Sequence, residues 1–112
     1  MADKYNLGVI QSGISKTVLC DQVLTSTGTY ALSDSVYNYK LIIVEHGHSS
    51  ADNPYKQSNV IAGIYNDELS YMVCHGQGGN SEYSAFHFSN DGNNIVVDVN
   101  KGEYITKIVG IN

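Results

Sequence analysis

Turn-forming residues break this chain roughly every eight to twelve residues, and no stretch keeps apolar side chains at i, i+3, i+4 for the length of a helix. That rhythm leaves short strands joined by turns, the pattern of an antiparallel sandwich. The apolar runs fall at 5–10, 17–24, 29–32, 36–48, 58–65, 68–75, 82–89, 94–99 and 103–111. The expected fold is all-β, an antiparallel, jelly-roll-like β-sandwich of about eight strands. One domain is expected across residues 1–112, since this length supports a single core. Asn66-Asp67 and Asn90-Asp-Gly-Asn93 look like hairpin turns, and Gly76-Gln-Gly-Gly-Asn-Ser81 like a flexible hairpin tip.

The core centres on Tyr39-Lys-Leu-Ile-Ile-Val-Glu-His-Gly-His48, the longest apolar run, which ends in a His-x-His pair. Leu41 to Val44 are apolar on both faces of a pleat, as expected of a strand buried from two sides. By alternation Ile42, Val44, His46 and His48 share one face, and Leu41, Ile43 and Glu45 the other.

Composition narrows the partners. The formal charge is −5 and there is no arginine, which argues against nucleic acid and against an anionic membrane surface. No apolar run approaches the roughly 20 residues of a membrane-spanning helix. Met-Ala-Asp-Lys-Tyr5 lacks the basic start and apolar middle of a signal peptide. Cys20 and Cys74 form no CxxC spacing, and both are expected to be buried thiols acting as small hydrophobes. Nine tyrosines against two phenylalanines and no tryptophan favour wet, sugar-compatible surfaces, although tyrosine also suits strands in general.

Two segments carry a resemblance. Thr27-Gly-Thr-Tyr-Ala-Leu-Ser-Asp-Ser-Val-Tyr-Asn-Tyr-Lys-Leu-Ile-Ile-Val44 resembles a pattern of distal domains in bacteriophage tail fibres and related tail proteins. Tyr104-Ile-Thr-Lys-Ile-Val-Gly-Ile111 resembles the strand that closes such domains. Together they cover about a quarter of the chain, and neither is a catalytic signature. The resemblance implies a β-sandwich tip domain, a homotrimer displayed on the virion, that binds a bacterial surface glycan or protein. Ser33 and Asp34 would close a turn in it, with Tyr37 and Tyr39 over the sheet edge.

His46 and His48 are the first chemical candidates. Alternation sets the two imidazoles on one side at roughly 6–7 Å, suitable for a shared transition metal. A third ligand would come from His75, His87, Glu45 or Asp52, or from symmetry, where three copies supply six nitrogens that iron or nickel accepts. The competing reading is a hydrogen-bonded pair at a strand end. His75 and His87 are read as structural histidines, or as groups at a solvent or subunit contact.

Hydrolytic chemistry lacks a motif. There is no Gly-x-Ser-x-Gly elbow. The acids Glu45, Asp52, Asp67, Glu68, Glu82, Asp91, Asp98 and Glu103 fall mostly at turns, where they are expected to be solvated, and a non-enzymatic role is expected. Gly76-Gln-Gly-Gly79 lacks the lysine and the helix of a phosphate cradle. Recognition is the better use of the loops. Asn53, Tyr55 and Gln57 in one, and Gln77, Asn80, Glu82 and Tyr83 in the other, combine aromatic faces with amide, carboxylate and hydroxyl groups suited to a glycan. The leading expectation is a receptor-binding fibre tip. The alternatives are a trimerisation or assembly domain of a viral fibre and a free-standing carbohydrate-binding module.

Overall fold

The structure is a computed structural model that describes residues 15–48, 56–62, 64, 69–77 and 80–112. Among these lie eight strands: β1 (Lys16–Cys20), β2 (Gly28–Ala31), β3 (Leu41–His48), β4 (Lys56–Ala62), β5 (Tyr71–Gln77), β6 (Asn80–Phe88), β7 (Asn94–Lys101) and β8 (Glu103–Ile111). A single 3-10 turn, Val36–Asn38, leads into β3. The expected run at 5–10 lies outside the described residues.

The strands form two four-stranded antiparallel sheets, ordered β1-β8-β3-β4 and β2-β7-β6-β5. Side chains from both sheets meet in one core that includes Leu24, Ile42, Val44, Phe86, Phe88, Ile95, Ile105 and Ile108. The sandwich is jelly-roll-like in how its termini wrap. β1 lies beside β8 in one sheet while β2 lies beside β7 in the other. The pairs β3–β4 and β5–β6–β7 are plain hairpins and meanders within one sheet.

Alternation holds on β3: Ile42, Val44 and His46 are fully buried. The expectation of burial on both faces needs correction. Leu41 and Ile43 are only half-buried, on the outer face of their sheet. The Asn90–Asn93 hairpin is present, joining β6 to β7. Asn66 and Asp67 lie outside the described residues, and the strands on either side of them, β4 and β5, are edge strands of different sheets and do not pair as a hairpin. Cys20 is buried as expected, and burial pushes its thiol up, whereas Cys74 is exposed on β5.

The Ser33-Asp34-Ser35 turn ties three parts of the fold together. Ser33 Oγ–H donates to the Val18 carbonyl at 2.9 Å, and Ser35 Oγ–H to the Asp91 carbonyl at 2.8 Å. Asp34 accepts from the Tyr39 hydroxyl at 2.8 Å, the Ser35 amide at 2.8 Å and Asn38 Nδ2 at 2.9 Å. The Tyr39 ring then lies so close over Gly110 of β8 that any Cβ there would collide with it. These bonds, the Tyr39 hydroxyl first, hold the Asp34 carboxyl below its usual 3.8. A depressed carboxyl contributes stability above pH 3.8 and loses it as pH falls through the folded value. Asp34→Asn is therefore expected to melt below the wild type at pH 7. The gap should narrow as pH falls below 3.8 toward the folded value, read by thermal unfolding from pH 7 down to about 2. A gap independent of pH would refute the assignment.

Candidate functional site at the connecting ends of two hairpins

Strand pairing brings the scattered candidates to one end of the sandwich. β3 runs antiparallel to β8, so His48 at the end of β3 pairs with Glu103 at the start of β8. β7 passes to β8, and so from one sheet to the other, at Gly102, whose φ of 80° suits a residue without a Cβ. Gly102 forms a parallel bridge to Tyr83 near the start of β6, and Gln77 pairs with Asn80 just before it. The connecting ends of the β3–β4 and β5–β6 hairpins therefore sit together around this crossing.

The expected contact residues fall there unevenly. Asn53 and Tyr55 lie outside the described residues, on the segment that joins β3 to β4. Gln57 is exposed on β4, and its backbone pairs with His46. Gln77 and Asn80 pair through their backbones, and their side chains lie outside the described residues, as do those of His48 and His75. Glu82 is half-buried and packs against Gly102. Tyr83 is half-buried too, with the Lys101 ammonium 5.9 Å from its ring centre, a cation–π contact that fixes the ring at the crossing.

Beneath this end lies a polar group with no counterpart in the sequence reading. His46 and Glu103 are both fully buried. His46 Nδ1–H donates to Glu103 Oε2 at 2.5 Å. Its Nε2 lies 3.1 Å from Asn59 Oδ1, so both ring nitrogens sit against protein oxygens. Ser84 Oγ–H donates to the Glu103 carbonyl. Glu103 Oε1 is buried with no hydrogen-bond partner among the described residues. Such an oxygen costs free energy until a donor or cation meets it. Glu103 thus departs from the expectation of a solvated turn acid, and His46 lies inside the core on the face of Ile42 and Val44.

This geometry bears on the expected metal. Both His46 nitrogens are already engaged by protein oxygens, so a metal held with His48 would have to displace Glu103 or Asn59. Among the described residues, no three His, Cys, Asp or Glu side chains are grouped to hold a metal ion. Glu103 and Asn59 were missed because neither sits in a motif. The usable signal was that Glu103 is two residues from Ile105 on one strand and so shares its face.

His87 sits elsewhere, on the outer face of the second sheet. Its Nδ1–H donates to Asp98 Oδ2 at 2.7 Å, both side chains exposed. The ring borders an open hollow of about 450 Å3 with Ser89, Asn90, Asp91, Asn94 and Val96. Asp91 there is held below the usual carboxylate range by the Asn93 amide and the Ser89 hydroxyl.

No helix among the described residues is long and apolar enough to cross a membrane. The sequence matches no family model, and no curated protein matches it.

Proposed function

We propose that this chain is a non-enzymatic receptor-binding domain, the distal tip of a phage tail fibre, that attaches to a bacterial surface glycan or protein. What supports this reading is the convergence of the β3–β4 and β5–β6 ends on one end of the sandwich, around Gly102 and Tyr83. Loops on a rigid scaffold are where recognition is usually built. Here the scaffold is stiffened by the buried His46–Glu103 pair directly beneath. The titratable groups of that pair are sealed from solvent, which suits a support better than a reacting centre.

The test is retention of the labelled domain on intact bacterial cells, together with a glycan array. Tyr83→Ala and Gln57→Ala are expected to weaken binding about tenfold each, the effect of losing ~1.4 kcal/mol of contact. Asn90→Ala, at the far turn of the β6–β7 hairpin, should leave it unchanged. Silence on both cells and array sinks the reading.

A further inference from the structure

The outer face of the β1-β8-β3-β4 sheet is apolar across its full width. Val18, Val109, Ile43 and Val60 are successive backbone partners and form one row across all four strands. Ile111, Leu41 and Ala62 form the next, flanked by Lys16. Val60 is 61% exposed and Val18 47%, on the two edge strands. On the other side of the valine row, Lys107, Glu45 and Ser58 are partners in a polar row. The inward set on these strands already fills the core, and among the described residues no element packs on this second apolar face. Apolar patches of this kind mark interfaces.

We infer that this face pairs with the same face of a second copy of the chain, about a twofold axis running along the strands between β8 and β3. The reason is self-complementarity. Such an axis lays β8 over β3 of the partner and β1 over β4, each row meeting itself. Val109 then meets Ile43, Val18 meets Val60, and Lys107 meets Glu45, each in both directions. Apolar rows pack on apolar rows, and the charges pair with opposite signs, as an isologous contact requires. Two sheets stack this way about 10 Å apart. Four strands ~4.8 Å apart and three rows ~6.8 Å apart give a footprint of about 400 Å2 on each copy. That is small for a stable dimer, so the pairing is weak and concentration-dependent. It is twofold, in place of the threefold that the fibre resemblance implies, and it uses no residue of the proposed receptor end. Either can fail alone.

Sedimentation of the full chain from ~10 μM to ~1 mM tests it. The expected result is a monomer–dimer equilibrium. Val60→Lys should weaken it at least tenfold while circular dichroism and melting stay near wild type, since Val60 already faces water. Glu45→Lys and Lys107→Glu should each give monomers, and the double exchange should restore the dimer. A monomer at every concentration overturns the inference and leaves the face to another part of the chain or another molecule. A trimer, or a dimer indifferent to these substitutions, overturns it as well.

Discussion

Replacing Glu103 by alanine is expected to lower the unfolding free energy by about 3–5 kcal/mol, read by urea denaturation at pH 7. The side chain is fully buried and meets His46 Nδ1 at 2.5 Å, with the ring itself inside the core. Its removal leaves an imidazole buried without its carboxylate, and an uncompensated buried polar group costs more than the pair contributes. The same physics makes a second variant informative. Replacing His46 and Glu103 together by leucines removes both desolvation costs and should recover most of the loss, because an apolar pair of similar volume is often neutral. A single substitution costing under 1 kcal/mol would show the pair to be hydrated in solution.

Phe86→Ala should cost about as much, 3–5 kcal/mol, for a different reason. Phe86 is 1% exposed, two residues from the end of β6. Its ring stacks on Tyr71 with centroids 5.6 Å apart and meets Phe88 edge-on at 5.7 Å. These are the chain's two phenylalanines, and with Tyr71 they form an aromatic triad on the inner face of the second sheet. Truncation leaves a cavity that neighbouring rings on a paired strand cannot close. Met72→Ala, 58% exposed on the adjacent strand, is the control and should stay within ~0.5 kcal/mol of wild type. Near-equal losses for the two would contradict the placement of the core.

Much of the architecture was readable before any coordinates. β8 begins at Glu103 and ends at Ile111 as the apolar run does, and β7 begins at Asn94 after the Asn90–Asn93 turn. The face shared by Ile42, Val44 and His46 followed from period two alone. Other readings failed for reasons that lie outside any local pattern. Asn66-Asp67 has hairpin chemistry, yet turn residues only permit a reversal. Whether the next strand pairs beside the last or crosses to the facing sheet depends on which partner it finds, and β5 finds β6.

Glu103 shows the same limit more sharply. Along β8 the buried residues run Glu103, Ile105, then Ile108 and Gly110, so the phase slips by one. The slip is a bulge at Thr106, where Glu45 pairs with Lys107 and His46 with Ile105. Counting back by twos from Ile108 puts Glu103 outside, which agrees with its acidity and is wrong. Nothing local marks the bulge, because Thr106 is an ordinary strand residue that bonds back to the Glu45 carbonyl.

The His46-Gly47-His48 end divides along this line. Sequence by itself determined that a strand runs from Leu41, that alternation places His46 with Ile42 and Val44, and that polar, glycine-rich segments follow. Those are consequences of backbone geometry and of apolar patterning, which a chain carries residue by residue. Tertiary structure alone decided that Glu103, 57 positions away, would close on His46. It alone set the two hairpin ends side by side and left Ile43 and Val60 facing outward in one row. Each of these depends on the partner and register a strand acquires in its sheet, and that choice is made by the packing of the whole core.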